Sequence, residues 1–169
     1  MDAMEAILTR RSVRKYTSEP IPDSVIDDLL KAAMFAPSAG NEQPWHFVVI
    51  KDRDVLDKIP DIHPYASMVY MAPVAIVVCG DLTLEKYSGC WVQDCSAAIE
   101  NLLLAAHANG LGAVWAGIFP LADRVKNFKE LLGLPEKVYP LALIPVGHPE
   151  GNIPEVHRYE PSRIHHNKW

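Results

Sequence analysis

The feature that most constrains the fold of this chain is its longest apolar stretch, VYMAPVAIVVCG, over residues 69–80. The stretch is too short to span a bilayer, and it contains Pro73. Its β-branched part, PVAIVVCG, predicts a strand that is buried on both faces. Such a strand lies inside a layered domain, and 169 residues are enough to bury a core of that kind.

Hydrophobic periodicity predicts the elements around that strand. Helices are expected over MDAMEAIL, with Asp2 as the cap, and over PDSVIDDLLKAAMFAP, WVQDCSAAIENLLLAAHANG and LADRVKNFKELLG. Further strands are expected over WHFVVI, GAVWAGI and YPLALIPVG. Because two helices precede the first strand, regular βαβ alternation is not the pattern, and the elements predict an α/β or α+β layered domain.

The last 18 residues differ from the rest of the chain. They carry Pro154 and Pro161 and show no strong period. They are nevertheless rich in large apolar side chains: Ile153, Val156, Tyr159, Ile164 and Trp169. We therefore predict a domain over residues 1–151 and a C-terminal arm over residues 152–169 that packs on another surface, such as a partner subunit.

Charge and cysteine content exclude several classes of function. The net charge of −5 and the pI near 5.8 argue against a nucleic-acid binder. The N-terminus lacks the basic region of a secretory signal, and the three cysteines form no CxxC pair, which together predict a reducing cytoplasm with free thiols and no membrane association. The late histidines (His148, His157, His165 and His166) fit no zinc spacing, so no metal site is expected.

A basic cluster, TRRSVRKY, stands out in this acidic chain. Arg10 and Arg14 share a face on a helix, and in an extended segment Ser12 joins them on one side. Arginine forks and a serine hydroxyl suit phosphate oxygens. A solvated surface turn after the first helix explains the cluster equally well, so spacing alone leaves both interpretations open.

Two further segments carry chemistry of their own. The loop APSAGNEQPWHF offers the amides of Asn41 and Gln43, which suit the edge of a heteroaromatic ring, although small polar residues also serve a simple turn. GLGAVWAGIFP is not a dinucleotide fingerprint, because Trp115 stands where the third glycine belongs and the segment leads from helix to strand. Gly117 could still allow backbone amides to approach a flat ligand.

In this order, the motifs resemble the nitroreductase family of FMN-dependent oxidoreductases, and particularly its short members. The resemblance covers nearly the whole chain. It is carried by RRSVRKY and APSAGNEQPWHFVVI, by APVAIVVCG, by WVQDCSAAIENLLLAAHANGLGAVWAGIFP, by PVGHP and by the closing RYEPSRIHHNKW.

The resemblance implies an α+β sandwich, with a central, mostly antiparallel sheet flanked by helices, and an intertwined homodimer with FMN sites at its interface. It maps the cofactor-binding residues onto Arg10, Arg11, Ser12 and Arg14, with Arg158 of the arm joining the phosphate site. It maps a loop that reaches the partner's flavin onto Pro37, Ser38, Ala39 and Asn41, and backbone facing the flavin ring onto Trp115, Ala116 and Gly117. The extra helices of larger members and a second lysine near the flavin pyrimidine have no counterpart here.

The implied activity is ping-pong transfer of hydride from NADH or NADPH to FMN and then to a small-molecule acceptor such as a nitroaromatic or a quinone. The cofactor carries the chemistry, so no catalytic residue is assigned. Alternatives remain open: a specialised family activity such as reductive dehalogenation or flavin fragmentation, a flavin-storage protein with little turnover, and a phosphate-ligand module that uses the basic cluster alone.

Overall fold

A five-stranded antiparallel sheet forms the centre of the computed structural model, which describes residues 1–151 and 154–169. The strands are β1 (Trp45–Ile50), β2 (Val74–Asp81), β3 (Gly112–Ala113), β4 (Ala116–Gly117) and β5 (Val138–Gly147). Their order is β1-β2-β5-β3, and β4 also pairs with β5. The apolar run over residues 74–80 is buried throughout and pairs on both edges, which confirms the predicted central strand.

The two faces of β2 supply the two halves of the core. Val74, Ile76 and Val78 belong to one apolar cluster, which they share with the helices at residues 23–34 and 91–108. The alternate residues Ala75, Val77 and Cys79 belong to the second cluster, on the other side of the sheet. This period of two places helices on both faces, so the predicted α+β sandwich is confirmed. No partner chain is present, and the intertwined homodimer stays a prediction.

The helices are α1 (Ala3–Thr9), α2 (Asp23–Met34), α3 (Arg53–Leu56), α4 (Ile59–Ile62), α5 (Trp91–Ala108) and α6 (Ala122–Leu132). As predicted, Asp2 caps α1: its carboxylate accepts the N–H of Glu5 at 2.9 Å. Gly133 ends α6 with a φ of 63°, the left-handed conformation that favours glycine. The single-turn helices α3 and α4 were not predicted, because four residues are too few to show a helical period.

The strand predicted over residues 112–118 is wrong in one respect, because the structure divides it into β3 and β4. Gly112 pairs with Gly147, and Ala116 pairs with Leu143. In that register Val114 lies opposite Pro145, which has no N–H to donate to the ladder. The break therefore comes from the partner strand and not from the sequence of the segment itself.

The described part of the C-terminal arm, residues 154–169, lies exposed along its whole length and contains one 3₁₀ turn, Pro161–Arg163. The predicted contact of Ile153 falls outside the described residues, as does Asn152. Within residues 1–151 and 154–169, every helix is too short or too polar to cross a membrane.

Candidate active site

Of the two geometries considered for the basic cluster, a helix and an extended segment, the structure shows the extended one. Ser12 forms a parallel bridge with Ala113 of β3, and the N–H of Val13 donates to the carbonyl of Ala113 at 3.0 Å. Val13 is buried, whereas Ser12 and Arg14 are exposed. Pairing with the sheet edge thus presents the polar side chains of the cluster outward.

The first two arginines of the cluster turn toward the protein itself. Arg10 Nε lies 3.0 Å from a carboxylate oxygen of Glu100 on α5. Arg11 Nη1 donates to the carbonyls of Leu8 at 2.8 Å and of Arg10 at 2.7 Å, which are groups at the end of α1. Arg11 therefore acts as a cap for that helix as well as a wall of the adjacent cleft.

That cleft, of about 770 Å³, joins the cluster to the arm. Its walls are residues 7–11, Glu100 and arm residues 155–159, so it brings Arg10, Arg11 and Arg158 together. Arg11 Nη2 also reaches the carbonyl of Val156 at 3.4 Å. Arg14 does not line this cleft, so the structure does not bring Arg10 and Arg14 together as their spacing predicted.

The donors of the cleft fit an anionic group. The Nε of Arg11 is buried and has no hydrogen-bond partner among the described residues. Arg158 lies in the same cleft, and no acidic oxygen of the residues that the structure describes comes within 4.0 Å of its guanidinium. An arginine set with donors left over suits a phosphate, which accepts several charge-assisted hydrogen bonds at once.

Arg14 lines a second cavity, of about 210 Å³. Residues 114–117 form one wall, which places Arg14 beside the predicted positions Trp115, Ala116 and Gly117. The remaining walls are His63, Tyr65, Met68 and Arg124, which sequence analysis did not assign. A neighbouring cleft of about 570 Å³ shares Arg14, Tyr65 and Met68 with this cavity and extends to Lys15 and Met71.

The carbonyl of Gly117 is held from two directions in the second cavity. His63 Nε2 lies 3.0 Å from it, and Arg124 Nη1 donates to it at 2.9 Å. Because a carbonyl only accepts, the proton of His63 is on Nε2, and Nδ1 accepts the N–H of Tyr65 at 3.3 Å. Burial lowers the pKa of His63, and the charge of Arg124 adds to the lowering, so the imidazole is neutral.

The loop over residues 37–43 lies apart from the arginine cleft and from the two cavities that Arg14 lines. Pro37, Ser38, Ala39 and Asn41 line none of the three clefts described above. The loop is tightly turned: Gly40 and Asn41 have φ values of 51° and 54°. Within one chain, the structure does not bring this loop to the arginines or to residues 115–117.

Comparison with known proteins assigns the chain to a family. A profile described as the nitroreductase family matches residues 7–63 and 62–148. The chain belongs to the nitroreductase family. Its membership makes it an oxidoreductase.

One relative and two solved structures show how far the similarity to other nitroreductase-family proteins extends. A protein of Methanothermobacter thermautotrophicus, named "Putative NADH dehydrogenase/NAD(P)H nitroreductase", is 54% identical over 169 residues, covering 100% of this chain and 88% of the relative. A solved structure of that name from Parabacteroides distasonis has a TM-score of 0.95 at 44% identity and covers 98% of both chains. A nitroreductase-like protein of Desulfovibrio desulfuricans, solved in complex with FMN, has a TM-score of 0.85 at 32% identity, covering 100% of this chain and 99% of that one.

Sequence analysis of this nitroreductase-family chain missed His63 and Arg124. His63 follows α4, which had no recognisable period, and Arg124 lies within an ordinary amphipathic helix, α6. His63 lies 54 residues before Gly117 in the chain, and Arg124 lies 7 residues after it. A lone histidine before a proline, in DIHPY, was the only local signal.

Proposed function

We propose that the chain is an FMN-dependent oxidoreductase that acts as a homodimer, takes hydride from NADH or NADPH and passes it to a small-molecule acceptor such as a nitroaromatic or a quinone. The observation that carries the proposal is the path of residues 10–16. This segment links a cleft that holds Arg10, Arg11 and Arg158 to a cavity walled by residues 114–117. An elongated ligand with an anionic end and a flat ring matches that arrangement.

The phosphate end of FMN would lie in the 770 Å³ cleft. Arg10 and Arg158 supply charge there, and Ser12 offers a hydroxyl from the adjacent extended segment. The buried Nε of Arg11 adds a donor that no acceptor of residues 1–151 or 154–169 engages. Glu100 holds Arg10 in place at 3.0 Å before the ligand arrives, so the guanidinium is already oriented. An oriented arginine loses less conformational freedom when it binds.

The second cavity would hold the ring. Bound FMN supplies the hydride chemistry. Arg14 places a positive charge in that cavity. The Gly117 carbonyl accepts hydrogen bonds from His63, which is neutral, and from the charged Arg124, and these bonds keep the backbone of residues 116–117 in one orientation. A fixed positive charge favours a ligand that becomes more negative on reduction. No side chain serves as a nucleophile, and we assign no catalytic residue.

A second copy of the chain is needed to complete the site. The loop with Pro37, Ser38, Ala39 and Asn41 faces neither cavity of its own chain, so its proposed contact with FMN is with the site of the partner subunit. Many large apolar side chains are exposed in the single chain, and a partner subunit would bury them. They are Met4, Ile7 and Leu8 of α1, Phe35 after α2, and Val156, Tyr159, Ile164 and Trp169 of the arm.

The arm supports the same conclusion. Fixing the backbone of a residue costs about 1–2 kcal/mol, and an arm that stays exposed offsets little of that cost. A partner surface would bury its apolar side chains at about 1.5–3 kcal/mol each. We therefore propose that residues 1–151 form the FMN-binding domain and that residues 152–169 pack on the partner subunit. The cytoplasmic location stays a prediction, which the three free cysteines suit.

FMN titration into the apo protein tests the cofactor site. Arg10→Ala and Arg158→Ala should each weaken binding about ten- to a hundredfold, because each removes a charge-assisted contact of about 1.5–3 kcal/mol. Lys126→Ala, which removes a charge from the exposed side of α6, is the matched control. If both arginine variants bind FMN as tightly as the control, the phosphate site is wrongly assigned.

Anaerobic addition of NADH or NADPH to the FMN-loaded protein tests the activity. Bleaching of the flavin absorbance, followed by its return on addition of an acceptor, is the expected result. A yellow protein that neither nicotinamide bleaches would point to flavin storage, and a protein that binds phosphate but not FMN would point to a phosphate-ligand module. Either outcome would overturn the proposed oxidoreductase.

A further inference from the structure

Two carboxyl side chains are buried together between the 37–43 loop and α5. Glu42, at the end of the loop, is 7% exposed, and Asp94, in the first turn of α5, is 5% exposed. The two carboxyl groups lie close enough for each to act on the protonation of the other. Ionised carboxylates only accept hydrogen bonds, so a hydrogen bond between the two groups requires a proton on one of them.

The other oxygen of each carboxyl group is already engaged. Asp94 Oδ1 accepts the N–H of Ala39 at 2.9 Å. Glu42 Oε2 accepts the N–H groups of Lys86 at 2.6 Å and of Tyr87 at 3.1 Å. The remaining oxygens, Asp94 Oδ2 and Glu42 Oε1, are buried and receive no donor from the described residues. One proton shared between the two groups would give both of these oxygens a partner.

The surroundings indicate which group holds the proton. Burial raises the pKa of Asp94, and the Glu42 carboxylate raises it further. Burial also acts to raise the pKa of Glu42, but the hydrogen bonds from the Lys86 N–H, from Asp94 and from the Tyr87 N–H outweigh it and lower that pKa. The pKa of Asp94 is raised and that of Glu42 is lowered, so a proton shared by the pair lies on Asp94.

Few other charges act on the pair. Lys86 is a cation near Glu42, while Glu85 adds negative charge near Asp94 and accepts the N–H of Gly89 at 2.8 Å. The thiol of Cys95, next to Asp94 in α5, has a pKa that burial raises, so it stays neutral. One nearby cation cannot neutralise two ionised carboxylates and Glu85 together.

We propose that Asp94 and Glu42 share one proton and that this pair is the positioning element of the 37–43 loop. Through it, α5 holds Ala39, and the segment at residues 86–87 holds Glu42. Lys86 Nζ adds a bond to the carbonyl of Gly40 at 3.0 Å. The ring of Tyr87 packs so closely on Gly40 that a Cβ there would lie 2.5 Å from it.

Loss of the proton would place two buried negative charges in contact and loosen the loop. Because the folded-state pKa of Asp94 is raised, its stabilising effect is present at low pH and is lost as the pH rises through that value. The lowered pKa of Glu42 has the opposite effect, since its contribution is lost as the pH falls through it. The pair is therefore most stable between the two values.

Three amide variants test the shared proton. Asp94→Asn keeps an acceptor for Ala39 and places an NH₂ against Glu42 Oε1, as the protonated acid does. Glu42→Gln keeps an acceptor for Lys86 and Tyr87 and donates to an ionised Asp94. The double variant Glu42→Gln/Asp94→Asn places two NH₂ groups against each other, so neither finds an acceptor.

Thermal unfolding of the three variants gives a double-mutant cycle that does not depend on FMN. We expect each single variant to melt near the wild-type temperature at neutral pH and the double variant to fall well below the sum of the two changes. The wild type should also lose stability as the pH rises above the ordinary pKa of aspartate, because the folded-state pKa of Asp94 is raised, and Asp94→Asn should not show that loss. Additive effects, or the same loss of stability with rising pH in Asp94→Asn, would overturn the shared proton.

The consequence for the cofactor rests on the proposed function. FMN affinity, measured by titration, should stay within about twofold of wild type in each single variant and fall about tenfold or more in the double variant. If the melting cycle is non-additive while FMN affinity is unchanged in all three, the pair does not position a cofactor loop. If the wild type itself binds no FMN, the proposed function fails, and the melting cycle still decides the shared proton.

Discussion

Phe35 should be a central residue of the proposed dimer interface. It follows α2, two residues before Pro37, and 87% of its surface is exposed. Its side chain therefore contributes little to the fold of a single chain. In a twofold-symmetric dimer, any interface residue occurs twice, so a single substitution acts at two places.

The expected magnitude follows from that symmetry. Full burial of a phenylalanine contributes about 1.5–3 kcal/mol. Phe35→Ser removes two such side chains, or about 3–6 kcal/mol per dimer, which weakens dimerisation roughly 10²- to 10⁴-fold. The melting temperature of the isolated chain should change little, because most of the side chain is exposed before association.

Sedimentation over a concentration series, recorded at both the protein and the flavin wavelengths, measures dimerisation and FMN together. Phe35→Ser should dissociate at concentrations at which the wild type is dimeric, and FMN should leave with the dimer. Phe35→Leu, which keeps most of the apolar surface, is the control and should remain dimeric. A Phe35→Ser protein with a wild-type dimer constant would show that this exposed side chain does not mark the interface.

Two further predictions concern the segment that links the cavities. Arg14→Gln keeps hydrogen-bond donors but removes the charge, so the midpoint potential of bound FMN should fall; an unchanged or higher potential with FMN still bound would contradict the electrostatic role of Arg14. Tyr16→Phe removes a buried hydroxyl that donates to the carbonyl of Val13 at 2.5 Å, and it should lower the free energy of unfolding in urea by about 1–3 kcal/mol with an unchanged denaturant slope. A stability within about 0.5 kcal/mol of wild type would show that the hydroxyl does not anchor this turn.

Local patterns predicted most of the secondary structure. Asp2 caps α1, Gly133 ends α6, and the apolar run at residues 74–80 is a doubly buried strand, because each depends on interactions within a few residues or on simple alternation. The break between β3 and β4 could not be predicted in this way. It depends on Pro145, a residue on another strand, whose position opposite Val114 follows from the sheet register.

The candidate site likewise has features that the sequence predicted and features that only the tertiary structure decided. The motifs in RRSVRKY and PSAGN were recognisable in the sequence by themselves, because residue type and spacing determine which ligands such segments can bind. The partners of those residues were decided only by the tertiary structure. Arg10 meets Glu100, Gly117 meets His63, and Glu42 meets Asp94, each across a long stretch of chain. Direction, burial and protonation depend on which side chains the packed elements bring together and on how far they exclude water, and the order of residues along the chain does not contain that information in a local form.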